Sequence, residues 1–125
     1  MPRPILLSLA LGAALVGPGA GPAQAAPTFP TGADFVAGCA ATPSNEDCTG
    51  AVLHVEQVVN DRDHPNETCE GGIEGLLQAR DSAELERRLT QRVVAVVAWL
   101  KLHPAYDRMS YGDAIWAGLK GVYCR

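Results

Sequence analysis

The spacings that usually bind metals are absent from this sequence. None of its four cysteines forms a Cys-x-x-Cys pair, and no two of its three histidines lie three or four residues apart. Structural zinc sites depend on such spacings. The run that begins at Asp61 starts like a calcium loop, but Asn66 stands where that loop needs glycine and Gly72 where it needs a carboxylate. We therefore expect no metal and no cofactor, and we interpret His54, His64 and His103 as structural or solvated residues.

Positive charge is scarce in the middle of the chain. Between Glu46 and Glu74, eight acidic residues accompany a single basic one, Arg62, and the formal net charge of the whole chain is -4 at pH 7. Nucleic acids and anionic membrane surfaces bind proteins through clustered Lys and Arg. We therefore expect neither as a partner. The acidic surface leaves room for a basic protein partner, although a solvated acidic surface is the commoner explanation.

Long apolar runs are also missing. The main one, residues 5–16, is shorter than the roughly 20 residues that a membrane-spanning helix needs. It follows Arg3 and precedes Ala23-Gln24-Ala25, which is the pattern of a cleavable signal peptide. We expect residues 1–25 to be a signal peptide and residues 26–125 to form one domain that is exported, periplasmic or secreted, and not inserted in a membrane.

The remaining chain has the apolar periodicity of helices. Residues such as Leu89, Val93, Val96 and Leu100 recur at steps of three and four, which places them on one helix face. The first predicted helix runs from a Thr31 cap to near Ala40, and the second from a Ser44 cap to about Asn60. The third runs from a Ser82 cap to Pro104, and the fourth from Tyr111 to Val122 after a Ser110 cap. A short extra turn is predicted within residues 73–79. Strands at the valine-rich stretches are the minor alternative. We predict an all-α bundle of about four helices plus a short one.

An even number of cysteines in a small exported domain indicates disulfides. Cys39, Cys48, Cys69 and Cys124 allow three pairings, of which we favour Cys39–Cys48 and Cys69–Cys124. The second would close a loop of roughly 55 residues and stabilise the fold by about 4 kcal/mol on the chain-entropy model. Pairing leaves no thiol to act as a nucleophile, and no two carboxylates stand out as a catalytic pair. These features favour a binding protein over an enzyme.

Several motifs together resemble a known protein family. They are Thr31-Gly-Ala-Asp-Phe-Val-Ala-Gly-Cys39, Cys48-Thr-Gly, a mid-chain Cys69, Val94-Ala-Val-Val-Ala-Trp-Leu-Lys-Leu-His-Pro104 and a terminal Tyr123-Cys124. The pattern is similar to the Rap/Tai family of periplasmic immunity proteins. It departs from that family where Glu70 and Tyr123 replace prolines beside the third and fourth cysteines.

This resemblance implies a function. Members of the family neutralise peptidoglycan amidase effectors of bacterial type VI secretion by inserting a loop, often from a homodimer, into the active-site cleft. Two loops, 61–68 and 103–109, are the candidates for this contact. Their candidate partner-binding residues are Asp61, Asp63, His64, Glu67, Tyr106 and Asp107, with Tyr106 as an aromatic anchor.

An alternative from another functional class shares the same size and compartment. Small helical periplasmic chaperones lose structure in acid and expose apolar surface. The carboxylates between Asp61 and Glu74 would be the trigger, because their repulsion and burial change on protonation. A second disulfide argues against this function because it makes opening harder.

Overall fold

The computed structural model describes residues 29–62 and 72–124, with side chains over 29–59 and 75–124. The helices are α1 (Gly32–Cys39), α2 (Glu46–Arg62), α3 (Gly72–Leu77), α4 (Ser82–Lys101) and α5 (Tyr111–Tyr123), with a 3-10 turn at Pro104–Tyr106 between the last two. An isolated antiparallel bridge joins Thr31 to Ser110, and the ranges above contain no strand. The predicted all-α class is confirmed. The predicted signal peptide lies outside the described residues.

The starts of α1 and α5 follow the predicted capping chemistry. The Thr31 hydroxyl accepts a hydrogen bond from the Asp34 amide at 3.2 Å, and the Asp34 carboxylate accepts one from the Thr31 amide at 3.2 Å. This reciprocal capping box satisfies amides that a helix start otherwise leaves unpaired. Ser110 caps α5 by accepting from the Asp113 amide at 3.3 Å. Both predicted caps are confirmed.

The predicted caps of α2 and α4 are wrong by one residue. The Asn45 side chain accepts from the Asp47 amide at 2.8 Å, so Asn45 and not Ser44 precedes α2. Asp81 accepts from the Glu84 amide at 2.8 Å, so α4 begins at Ser82 instead of being capped by it. Asn and Asp cap as well as Ser, and a carboxylate also suits the positive end of the helix dipole.

The core forms where α4 lies against α1, α2 and α5. The predicted apolar face of α4 is buried from Leu89 to Leu100, as are Phe35 of α1 and Ile115 of α5. Gly118 of α5 faces Val96 so closely that a Cβ there would lie 2.8 Å from Val96 Cγ1. This glycine therefore permits the close approach of α4 and α5, since added volume in a packed core must displace neighbours.

A disulfide joins Cys39 to Cys48, with 5.8 Å between the Cα atoms, and confirms the first predicted pair. It fixes the end of α1 against the first turn of α2. Cys124 is also disulfide-bonded. Its predicted partner, Cys69, lies outside the described residues, so the second pairing stays a prediction. In the described part of the chain, no helix is both long enough and apolar enough to cross a membrane.

An ion pair inside the bundle joins α2 to α4. Oε2 of Glu56 lies 2.8 Å from Nη1 of Arg92, and the Glu56 side chain is fully buried. No group of the described residues makes a well-oriented hydrogen bond to this carboxylate, so the contact is chiefly electrostatic. The Arg92 guanidinium also lies 4.9 Å from the ring centroid of Tyr123 at the end of α5. Arg92 therefore contacts both α2 and α5.

A second charged network links α3 to the first turns of α4. The Glu84 carboxylate lies 2.9 Å from Nε of Arg80 and 2.5 Å from Nη2 of Arg88. Arg88 also donates a hydrogen bond to the carbonyl of Gly75 in α3. Hydrogen bonds from Arg80, reinforced by Arg88, hold the pKa of Glu84 below its ordinary value of 4.5, against the smaller opposing effect of burial.

Replacing Glu84 by glutamine is expected to change how stability depends on pH. Because the folded-state pKa is lowered, ionised Glu84 stabilises the fold above pH 4.5, and this contribution disappears as the pH falls through the folded-state pKa. Urea unfolding should therefore show a wild-type advantage over E84Q that is largest at neutral pH and shrinks in acid. E86Q, at an exposed position on the same helix, is the control. An advantage that stays constant from pH 7 to pH 3 would contradict this assignment.

Candidate binding surface

The connection between α4 and α5, residues 102–110, is a surface segment that the structure describes in full and that is the candidate for binding. We call it the α4–α5 loop. It begins where Pro104 prevents α4 from continuing. Backbone bonds from Tyr106 to the His103 carbonyl at 3.1 Å, from Asp107 to Pro104 at 3.0 Å and from Met109 to Tyr106 at 3.2 Å form successive tight turns. The segment is thus a chain of hydrogen-bonded turns.

The first turn of α1 fastens this loop to the bundle. The Gly32 amide donates to the Met109 carbonyl at 2.9 Å, and the Ala33 amide donates to the Asp107 carbonyl at 3.0 Å. Amides at a helix start have no partner within their own helix, so the loop carbonyls satisfy them. A Cβ at Gly32 would lie 2.6 Å from the Tyr106 carbonyl oxygen, so glycine permits this contact.

Aromatic side chains pack beneath the loop. The rings of Trp99 and His103 stack with centroids 3.7 Å apart, and Nδ1 of His103 lies 2.7 Å from the Trp99 carbonyl, where it can donate. Tyr106 is half-buried against the same indole, with 5.3 Å between ring centroids. The half-buried Asp107 contributes its backbone carbonyl to the contact with α1. The predicted roles of Tyr106 and Asp107 in partner binding stay predictions.

The outer side of the loop is apolar and basic. Leu102 is 78 % exposed and Met109 39 % exposed, and Pro104 and Ala105 are exposed between them. Arg108 is exposed as well, and it forms no ion pair with any described residue. Exposed Leu102 is the side chain that sequence reasoning missed. Its signal was its place two residues after Leu100, the last apolar position of α4, where a helix that ends leaves a leucine unburied.

A groove lies beside the loop and has a volume of about 380 Å³. Trp99, Tyr106 and Met109 line one wall. The other wall consists of side chains from one face of α5, which are Asp113, Trp116, Ala117 and Lys120. Their spacing of three and four residues is the signal that could have predicted this wall. Nζ of Lys120 lies 5.3 Å from the Trp116 ring centroid.

The other predicted loop cannot be placed in the same way. Asp61 belongs to the last turn of α2, but its side chain is not among those described, and Asp63, His64 and Glu67 lie outside the described residues. The structure therefore brings Tyr106 and Asp107 together in one loop and leaves the four predicted residues near Asp61 untested. Within the described part of the chain, no three His, Cys, Asp or Glu side chains are grouped so that they could hold a metal ion.

Comparison with protein-family models, curated proteins and solved structures finds no match to this chain. The family suggested by the sequence motifs therefore remains an expectation. The geometry of the α4–α5 loop and of the adjacent groove is the basis for assigning a function.

Proposed function

We propose that this chain is an exported immunity protein that binds a peptidoglycan amidase effector of type VI secretion and blocks its active-site cleft. The motifs shared with the Rap/Tai family are the source of this proposal. The geometry of the α4–α5 loop is the observation that supports this loop as the binding surface. The amides of Gly32 and Ala33 hold its backbone, while Leu102 projects into solvent.

A loop that enters a cleft binds more tightly when it is already ordered. Ordering costs about 0.5–1.5 kcal/mol for each side chain immobilised, and a preorganised loop avoids much of this cost. The α4–α5 loop is held by hydrogen bonds from α1 and by the stacked rings of Trp99, His103 and Tyr106. Exposed Leu102 can then act as the apolar anchor that fills a recess in the partner.

Export is part of the same proposal. The Cys39–Cys48 disulfide is compatible with an oxidising compartment such as the periplasm. The second disulfide, Cys69–Cys124, would fix the end of α5 to the middle of the chain.

A homodimer is the other property that the family resemblance suggests, and sedimentation of residues 26–125 would measure it.

The test is inhibition of a type VI secretion amidase by oxidised residues 26–125. Wild-type protein should bind the amidase and abolish peptidoglycan hydrolysis. Leu102→Asp should weaken binding by about 10- to 100-fold, because it places a charge where an anchor of roughly 1.5–3 kcal/mol was buried. Binding is measured by titration calorimetry, and hydrolysis by release of cleaved muropeptides.

The matched control is Leu77→Asp, which makes the same change at a leucine of α3 that is 71 % exposed. It should leave inhibition unchanged. If Leu77→Asp weakens inhibition and Leu102→Asp does not, the α4–α5 loop is not the contact, although the immunity function would still stand. If wild-type protein inhibits no amidase but protects client proteins after acidification, the immunity function is wrong and the chaperone alternative is favoured.

A further inference from the structure

The groove beside the α4–α5 loop has the composition of a binding site in its own right. Its volume of about 380 Å³ falls within the range of roughly 300–1,000 Å³ that is usual for ligand sites. Trp99, Tyr106 and Trp116 give it aromatic walls, and Asp113 and Lys120 bring one charge of each sign into it. A site that is mainly aromatic with one or two placed charges recognises ligands by chemistry as well as by shape.

The ring faces and Asp113 favour a cation in the groove, and Lys120 is the positive charge that such a cation would have to displace from Trp116. Aromatic rings carry negative charge on their faces. Asp113 adds a carboxylate that is exposed and has no ion pair with the described residues. The position of Lys120 shows that the wall accepts a cation, since its ammonium lies within cation–π distance of Trp116. An anionic ligand would meet the ring faces and the Asp113 carboxylate unfavourably, and only Lys120 would attract it.

We propose that this groove binds an arginine side chain presented by a partner protein. The guanidinium would lie against the aromatic wall, compete with Lys120 for Trp116, and pair with the Asp113 carboxylate. Arginine fits better than lysine because its planar, weakly hydrated head group stacks on rings and pairs with carboxylates through two parallel hydrogen bonds. The site requires no particular partner and does not depend on the amidase assignment.

The chain carries its own reporter for this test. It has two tryptophans, and both line the groove. N-acetyl-arginine amide is the probe, and N-acetyl-citrulline amide, of similar shape but uncharged, is its matched control. Oxidised full-length mature protein should show a saturable change in tryptophan fluorescence with the arginine probe, with a dissociation constant on the order of tens of millimolar, as expected for one exposed cation–π contact and one exposed ion pair.

Three variants assign the effect to the groove. Asp113→Asn should weaken binding of the arginine probe by about two- to fivefold, the range for an exposed ion pair. Lys120→Met should strengthen it, because the internal competitor for Trp116 is removed. Asp47→Asn, the same change at an exposed acidic residue in the first turn of α2, should have no effect.

The proposal is overturned if the wild-type protein gives no saturable signal, or if citrulline binds as well as arginine. It is also overturned if D47N weakens binding as much as D113N does. Circular dichroism is the check that D113N keeps its helices, and K120M provides a variant whose expected effect is a gain, which misfolding would not produce. Higher salt should reduce the response to arginine, since exposed charge pairs are screened.

Discussion

Replacing Arg92 by methionine is expected to lower the free energy of unfolding by about 3–5 kcal/mol at pH 7, the cost of breaking a buried ion pair from one side. The Glu56 carboxylate is fully buried, and its charge is matched by Arg92, 2.8 Å away. In the variant, Glu56 would lose this partner, and ionising its buried carboxylate would cost more free energy. Since small domains are stable by only about 5–15 kcal/mol, this variant should be close to unfolding.

The pH dependence of this loss identifies its cause. Burial raises the pKa of Glu56, and Arg92 lowers it by a smaller amount. A raised folded-state pKa means that the penalty for ionisation is present above that pKa and is absent below the ordinary value of 4.5. In Arg92→Met the pKa rises further, so the loss of stability should shrink steadily as the pH falls below neutrality.

A double variant separates the missing pair from a packing defect. Combining Glu56→Leu with Arg92→Met removes both charges and should recover most of the loss, because apolar side chains of similar volume often replace a buried pair without cost. Arg87→Met, at an exposed position of the same helix, should change stability by no more than about 0.5 kcal/mol. A loss at Arg92 that is independent of pH and unrepaired in the double variant would show that packing, not charge, dominates.

Phe35→Ala is the second substitution with a large expected effect, a loss of about 3–5 kcal/mol. Phe35 is fully buried at the centre of α1, and its ring meets that of Phe29 edge-on with 5.4 Å between centroids. An eight-residue helix such as α1 has little stability of its own. Its packing through Phe35 therefore holds it in place, and urea unfolding of the oxidised protein measures the loss.

This substitution should also loosen the α4–α5 loop. The amides of Gly32 and Ala33 bind loop carbonyls, so a less stable α1 releases them more often. Hydrogen exchange should accelerate at these two amides before it does in α4. Phe35→Leu, which retains most of the buried volume, is the control and should cost clearly less. Lower stability with unchanged exchange at Gly32 and Ala33 would contradict the coupling between α1 and the loop.

The helices were predictable because their information is local. Periodic apolar residues, the Thr31–Asp34 box and the Pro104 stop each act within a few residues of sequence. The caps of α2 and α4 were missed because two adjacent side chains could cap each helix. Ser44 stands beside Asn45 and Asp81 beside Ser82, and the path of the backbone decides between them.

The charged core and the groove were harder to predict because they depend on contacts between helices. Glu56 follows Val52 by four residues, so its position on the inner face of α2 was readable from the sequence. Nothing local shows that Arg92 of α4 reaches it. The groove wall on α5 has a helical spacing, but the opposite wall comes from the end of α4 and the loop. Local patterns show which faces exist, and only the packed bundle shows which faces meet.

The two hydrogen bonds from α1 to the α4–α5 loop also lead us to expect an order of assembly. Gly32 and Met109 lie near opposite ends of the described chain, so their contact closes a long stretch of sequence. Such contacts form late in folding, because the entropy of closing the chain must be offset by structure already gained. We therefore expect the α4–α5 loop, although its own turns are local, to be fixed in its final position only when α1 docks against it. Its binding competence would then appear in step with the last stage of folding, and removing the first turn of α1 would abolish it while leaving α4 and α5 in the chain.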